Sequence, residues 1–335
     1  MEKPVVVITG VTGYLGSATC LAFLQDGSFS VRGTVRSTSN EKKLQPLKLG
    51  LGELFAGLEL VEADLSDEDS LIKACVGATF VVHTASPFHF KGGCVKPAVK
   101  GTTAVMKACS VHKVKRCVVT SSCAAMQAPA AEELGSQAIY WRRGEDKPVP
   151  PAAYNETCWS NPERPEGLHD YMKSKTWAER AAWDYQKANP GFDLVTILPC
   201  FIMGPAPCDG EGTSVSYMLD ILKGKKAEIP RNSSSFVDVR DCAAAHLKAI
   251  LLPEAANQRF ILYNQRVLLR DVYGWLAKYN EKGAKVPTKL AEGEDSMDGD
   301  LIDNTKSREV LKIEYTPMEK TFCDAAEYLL SVGAV

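Results

Sequence analysis

The apolar run Val5–Thr9 passes directly into Thr9-Gly10-Val11-Thr12-Gly13-Tyr14-Leu15-Gly16. This junction restricts the fold more than any other feature of the chain. A continuous β-branched run reads as a strand buried on both faces, and such strands belong in parallel sheets covered by helices. Three glycines spaced GxxGxxG allow a tight turn, close approach of a pyrophosphate and close helix–strand packing. The helix that follows offers free amides and the positive end of its dipole to phosphate oxygens. A glycine triplet alone is weak evidence. Its position right after a buried strand is the context that makes it a nucleotide site.

The rest of the chain repeats this grammar. Helical spacing is expected over Ser17–Gln25, ending near Gly27, and strands over Val31–Val35 and Leu58–Glu62. A helix over Ser70–Cys75, a strand over Phe80–His83, a long helix over Lys96–Ser110 and a strand over Cys117–Ser121 follow. Tyr171–Ala188 reads as a strong helix, with strands at Asp193–Leu198 and Phe260–Tyr263. Alternating strands and helices with buried strands predict an α/β protein with a doubly wound parallel sheet. Residues 128–161 are polar, rich in Pro and Ala and without period, so they read as a long loop. After Pro199 the alternation loosens. The expected division is a nucleotide domain over 1–200, rejoined by 235–264, and a smaller C-terminal α+β substrate lobe over 201–234 and 265–335.

Composition excludes other classes. A net charge of -2 over 335 residues gives no electrostatic reason to expect nucleic acid or an anionic membrane as partner. The basic runs Lys113–Arg116 and Trp141–Arg143 are short and read as solvated faces. No apolar stretch of about 18 residues occurs, so no membrane span is expected. The N-terminus lacks the regions of a signal peptide, which leaves the cytoplasm as the expected location. The 11 cysteines, an odd number, include no CxxC pair. They read as reduced and mostly structural, with no metal site.

Three further patterns carry chemistry. A fold preferring NAD would place an acidic residue about 20 positions beyond the last glycine; Arg36 stands there. A guanidinium can stack on adenine and pair with a 2′-phosphate, so NADP is expected over NAD, with Lys43 as a second charge. Asp64 and Leu65 would meet the adenine edge. Tyr171-Met172-Lys173-Ser174-Lys175 puts Tyr171 and Lys175 four apart on one helix face. A nearby ammonium, together with the nicotinamide cation of oxidised cofactor, would lower the phenol from its usual pKa of about 10. The phenol could then give a proton to a carbonyl oxygen. Thr120-Ser121-Ser122-Cys123 ends the fifth strand, where ligands of open α/β sheets sit. His83 and His89 are expected to be packing or loop residues, Trp159 and Trp177 core or interface aromatics rather than substrate stacking platforms, and Asp238 and Asp241 caps of a helix over Cys242–Leu251.

Taken together these residues resemble the extended short-chain dehydrogenase/reductase superfamily, in its dihydroflavonol reductase, cinnamoyl-CoA reductase and aldehyde reductase branch. The resemblance runs from the N-terminus to the last helix. It is carried by Thr9–Gly16, Thr34-Val35-Arg36, Ala63-Asp64-Leu65, His83-Thr84-Ala85-Ser86-Pro87, Thr120-Ser121-Ser122, Cys158-Trp159-Ser160, Tyr171–Lys175, Leu198-Pro199 and Phe236–Asp241. It implies a doubly wound parallel Rossmann sheet and an NADPH-dependent reductase of a small aldehyde or ketone. Ser122 would be the catalytic serine, Tyr171 the proton donor and Lys175 its partner, which also holds the nicotinamide ribose. Gly10, Thr12, Gly13, Tyr14, Leu15, Gly16 and Arg36 would line the pyrophosphate and adenosine. Thr84, Ala85, Ser86 and Thr120 would lie toward the nicotinamide half, and Pro199 beside its carboxamide. Ser86, Ser122, Gln127 and Tyr171 would meet the substrate.

The chain departs from that branch in places. Gln127 stands where flavonoid reductases carry an asparagine, and the loop Pro129–Ala153 is longer than in the plant enzymes. His169-Asp170-Tyr171-Met172 lacks the aromatic run of cinnamoyl-CoA reductases; Pro97-Ala98-Val99-Lys100 stands where many members of the wider superfamily, though not securely this branch, place a relay asparagine. Two other readings stay open on the sequence: a nucleotide-sugar epimerase or dehydratase of the same fold, and a non-catalytic NADP sensor that binds regulatory partners. The pocket is expected to depend on Gln127, the Pro129–Ala153 loop and the Gly204–Gly224 segment, while substrate identity, and the choice between monomer and homodimer, are not legible.

Overall fold

Strand β1 (Val5–Thr9) runs into the glycine turn, and helix α1 (Tyr14–Asp26) starts at Gly13. Gly27 closes α1 in the left-handed conformation, its N–H returning to the Phe23 carbonyl. The computed structural model describes residues 2–86, 93–127, 153–163, 168–208, 212–297 and 301–335. Pro87, His89, Trp141–Arg143 and nearly all of the Pro129–Ala153 loop lie outside the described residues. Alternation continues through β2 (Ser30–Val35), α2 (Glu41–Leu51), β3 (Leu58–Glu62), α3 (Glu68–Ala74), β4 (Phe80–His83), α4 (Val95–Val111) and β5 (Arg116–Thr120). It resumes with α5 (Asp170–Ala188), β6 (Asp193–Pro199), β7 (Phe201–Met203), α6 (Thr213–Leu222), β8 (Ser233–Asp238), α7 (Val239–Leu251) and β9 (Gln258–Leu262). The chain then forms β10 (Gln265–Leu268), α8 (Leu269–Ala277), α9 (Thr305–Glu309) and α10 (Met318–Ser331).

Seven strands make one sheet in the order β3-β2-β1-β4-β5-β6-β9, each neighbour parallel to the next. This is the doubly wound Rossmann sheet expected from the sequence. Apolar side chains cover both faces. On one side Cys20 and Phe23 of α1, Leu44 and Leu47 of α2 and Ala245 of α7 pack on β1, β2 and β6. On the other, Leu71 of α3, Val105 of α4 and Ala182 of α5 pack on Val7, Val81 and Leu194. Each fully buried Phe or Leu contributes about 1.5–3 kcal/mol relative to exposure. A second sheet, β10-β8-β7, carries a separate apolar cluster with α6, α8 and α10. Among the described residues no helix is long and apolar enough to cross a membrane. All 11 cysteines are free thiols, and nine are buried.

The structure corrects three expectations. Arg116 is not on a solvated face. It opens β5 and is buried, its guanidinium bonded to Asp193 at 3.0 Å and to the carbonyls of Ala249 and Leu252 at 2.9 and 2.7 Å. It thereby satisfies the last turn of α7, whose carbonyls lack partners within the helix. The helix expected from Cys242 starts at Val239, so Asp238 alone caps it, accepting from the Arg240 N–H at 2.7 Å. Asp241 falls inside the first turn and accepts from the N–H and hydroxyl of Thr316, both at 2.8 Å. Helix α2, absent from the sequence reading, contains Pro46. Burial of Leu44, Leu47 and Leu51 outweighs the backbone bond that Pro46 removes.

Candidate active site

Chain order reverses across the sheet between β1 and β4, so a crevice opens beyond their carboxyl ends. Thr9 ties its two banks together. Its hydroxyl accepts from the Ala85 N–H at 3.1 Å and meets His83 Nδ1 at 2.9 Å, and its carbonyl accepts from Thr84 Oγ1 at 2.6 Å. Gly10 has φ +72, and a Cβ there would stand 2.9 Å from the Ala85 Cβ. A Cβ on Gly16 would stand 2.2 Å from the Gly10 carbonyl oxygen. Both positions therefore require glycine, and they let α1 begin hard against the sheet. His83 packs as expected. Burial first, and the Lys175 charge second, push it down to about 3, so it is neutral.

The crevice widens into a cleft of about 980 Å³. Gly10, Thr12, Gly13, Tyr14, Leu15 and Gly16 line one end of it, with Arg36, Asp64 and Leu65. Thr84, Ala85, Ser86 and Thr120 also line it, as do Ser122, Gln127, Tyr171, Lys175 and Pro199. Every site residue expected from the sequence is thus in one cavity, with one exception: Lys43 is not among the lining residues. It sits in the first turn of α2, where its N–H meets the Asn40 cap. No side chain among the described residues caps α1, so the first-turn amides, which have no acceptor within the helix, remain available at the cleft. Arg36 is exposed on this stretch, and its charge helps hold the Asp64 carboxyl below its ordinary value after the bonds from Ser66.

At the other end the sequence spacing does its work. Tyr171 and Lys175 project from one face of α5, and Ser122 faces them from the end of β5. Ser122 caps the short 3-10 turn Cys123–Ala125, accepting from the Ala124 N–H at 3.2 Å, and its side chain is hydrogen-bonded to Tyr171. Lys175 is buried, with Nζ 3.4 Å from the Thr120 carbonyl oxygen. Burial pushes it down to about 8, against the attraction of Glu179. For Tyr171 the sequence expectation included the nicotinamide cation; the protein's own groups alone act in the other direction. Its phenol is raised, because burial outweighs the hydrogen bond from Ser122. A raised phenol holds its proton at neutral pH, which suits a donor.

The sequence singles out neither His169 nor β7 here, and it names Thr213 and Ser214 only as part of the Gly204–Gly224 segment. His169 lines the cleft and caps α5, its Nδ1 accepting from the Tyr171 N–H at 3.3 Å. Phe201 and Ile202 of β7, and Thr213 and Ser214 of α6, wall the far end. Tyr14 reaches across from the glycine turn to donate to the Gly204 carbonyl at 2.5 Å. Tyr14 and Ser214 also line a second, apolar cavity of about 400 Å³ among α2, α6 and α10. Trp159 is no stacking platform: the Arg259 guanidinium lies 3.7 Å from its ring centroid, and Arg180 flanks both it and Trp177. His169, β7 and α6 gave no motif to follow.

Comparison with known proteins agrees with this geometry. Residues 6–263 match the model of the NAD dependent epimerase/dehydratase family. Cinnamoyl-CoA reductase 1 of Petunia hybrida is 33% identical over 98% of this chain and 93% of its own length. The bifunctional dihydroflavonol 4-reductase/flavanone 4-reductase of Pyrus communis is 29% identical over 100% of this chain and 93% of its own. Among solved structures, yeast methylglyoxal/isovaleraldehyde reductase Gre2, complexed with NADPH, superposes with a TM-score of 0.78 at 26% identity. That match covers 98% of this chain and 99% of that one. The chain therefore belongs to the NAD dependent epimerase/dehydratase family, the extended short-chain dehydrogenases, and stands there beside the dihydroflavonol, cinnamoyl-CoA and aldehyde reductases.

Proposed function

We propose that this protein reduces the carbonyl group of a small aldehyde or ketone at the expense of NADPH, with Tyr171 as proton donor. The observation that carries the reading is that Tyr171, Lys175 and Ser122 line the same cleft as the uncapped start of α1. The donors fit the cofactor. The first-turn amides of α1 and the glycine turn suit a pyrophosphate, Arg36 suits a 2′-phosphate, and Lys175 suits the nicotinamide ribose. What NADPH supplies when bound is a hydride for the carbonyl carbon.

The chain's own groups do the rest. Ser122 orients the carbonyl oxygen and the phenol together, since its hydroxyl is already bonded to Tyr171. As negative charge grows on the substrate oxygen, the Tyr171 proton moves to it. The cationic Lys175 lowers the cost of the phenolate left behind. Water is thinned by burial of Ser122 and Lys175 and by the β7 wall. Gln127, His169, Phe201 and Ile202 then select the substrate by shape and polarity.

The test is NADPH oxidation followed optically against a panel of aldehydes, ketones and dihydroflavonols, with NADH and Tyr171→Phe alongside. Loss of a positioned proton donor costs about 10²–10⁴-fold, so turnover should need NADPH and collapse in the variant. Undiminished turnover by Tyr171→Phe refutes the assignment. Tight NADPH binding without turnover of any carbonyl favours the sensor reading, and co-purification with NAD favours the epimerase.

A further inference from the structure

A third residue shares the Tyr171–Lys175 stripe of α5. Glu179 follows Lys175 by four positions, so the three side chains stand one above another along the helix. It is fully buried, where an ionised carboxylate is costly unless partnered. Its partners come from three adjacent strands. Ser121 Oγ at the end of β5 donates to Oε2 at 2.6 Å, and Thr196 Oγ1 of β6 donates to Oε1 at 2.8 Å. Arg259 of β9 donates Nε to Oε1 at 2.8 Å and Nη2 to Oε2 at 3.3 Å. The remaining nitrogen of that guanidinium, Nη1, donates to the Glu156 and Cys158 carbonyls at 2.6 and 2.7 Å. Ser160, two residues further, donates its N–H and hydroxyl to the carbonyls of Ala125 and Ala124 at 2.7 and 2.8 Å.

Two chains of bonds from one carboxylate therefore end on either side of Ser122: one through Ser121, the other through Arg259, residues 156–160 and the turn at Ala124–Ala125. The proton-donor chemistry proposed above requires neither. We propose that Glu179, held by Arg259, is a positioning residue of this site: it sustains the positive charge of Lys175 one helical turn away and fixes the β5 end from which Ser122 projects. This inference rests on the reductase reading. Among the described residues, Glu179 is the carboxylate that acts on the Lys175 charge. His83 on β4 is neutral, Tyr171 on α5 keeps its proton at ordinary pH, and Arg259 on β9 is a cation beyond Glu179. Glu179 is the group that opposes the fall of the Lys175 pKa with burial.

Glu179→Gln keeps the side chain's size and removes its charge. Lys175 should then lose its proton at lower pH. One readout is independent of turnover: the pH dependence of Lys175 acylation by an amine reagent in the cofactor-free protein, followed by peptide mass spectrometry. Its midpoint should fall by about one pH unit or more. The second is the pH profile of kcat, whose loss should reach about fivefold at pH 8 and recover toward pH 6. Glu179→Asp, which keeps the charge, should restore the wild-type profile even if it lowers Tm. Should Glu179→Gln fail to fold with Arg259 left unpaired, the double variant Glu179→Gln/Arg259→Met removes both buried charges and is read in the same way. An unmoved Lys175 midpoint, or a kcat loss equal at every pH, overturns the proposal. Tyr171→Phe separates the two ideas: if it is inactive while Glu179→Gln keeps the wild-type profile, only the role of Glu179 fails.

Discussion

Glycine-to-alanine substitution should have opposite signs at two helical positions, and the structure supplies the size of each effect. At Gly274, in α8, a Cβ meets nothing within 4 Å. Alanine there should raise stability by the ordinary helix propensity difference, about 0.8–1.0 kcal/mol. At Gly16, in α1, the same Cβ would stand 2.2 Å from the Gly10 carbonyl oxygen, 2.9 Å from its carbon and 3.0 Å from Thr84 Oγ1. Ordinary contact lies near 3.4 Å, so the start of α1 must retreat from the glycine turn by about 1 Å. Overpacking of that kind costs about 1–3 kcal/mol, which the propensity gain only partly offsets. With an unfolding entropy of about 0.7 kcal/mol/K for a chain this long, Gly16→Ala should lose up to about 3 °C and Gly274→Ala gain about 1 °C. The larger effect of Gly16→Ala falls on the site, because the displaced amides are those proposed to hold the pyrophosphate. NADPH affinity, read by quenching of protein fluorescence, should drop about tenfold or more for Gly16→Ala and stay unchanged for Gly274→Ala. If Gly16→Ala binds NADPH as wild type does and melts higher, the close approach of α1 to the turn does not govern this site.

Two other expectations follow from charge. Arg36→Glu should lose about 10–100-fold in kcat/KM with NADPH, the worth of a charge-assisted bond to a phosphate. It should lose little with NADH, and an unchanged cofactor ratio removes Arg36 from the 2′-phosphate. The buried histidines give a pH signature. His246, with Nδ1 on the Cys242 carbonyl and Nε2 on Thr120 Oγ1, is pushed down to about 4 by burial, and His83 to about 3. Both are depressed, so the unfolded chain takes up these protons first. Their contribution is complete above about pH 6.5 and is lost as pH falls toward 4 and 3, at about 1.4 kcal/mol per pH unit for each. Asp241, raised to about 6, binds its proton first in the folded chain and opposes the trend below that pH. The difference between wild type and His246→Gln isolates one histidine. Urea midpoints should show the variant's acid slope shallower by about that amount, and parallel slopes refute the assignment.

What the sequence made legible follows from how local each signal is. The glycine turn, Arg36 and the Tyr171–Lys175 pair are short-range patterns whose meaning depends on spacing along one strand or helix. They converge on one cleft because parallel strands all present their carboxyl ends to the same side. Helix α2 was hidden by Pro46 and three lysines, which contradict its buried leucines. Arg116 was read as part of a surface run, since Lys113 and Lys115 beside it are exposed. Its partners Ala249 and Leu252 lie more than 130 residues away. By the protein's own groups the phenol of Tyr171 stands above its ordinary value, a direction that spacing does not reveal, because proximity to a lysine can be read from spacing whereas desolvation is a property of the whole packed site.

Eighty residues separate Glu179 from Arg259, and that interval has a temporal meaning. During synthesis at about 5–20 residues per second, α5 and β6 would emerge about 4–16 s before the strand that neutralises them. For that interval the nascent sheet carries a carboxylate destined for its interior with no cation to meet it. Stable closure of the large sheet must then wait for β9 to take its place at the edge. The Rossmann half of this protein is, on this account, finished by a strand encoded after β7, α6, β8 and α7, and the nascent chain up to α7 is the stage at which a chaperone has most to protect.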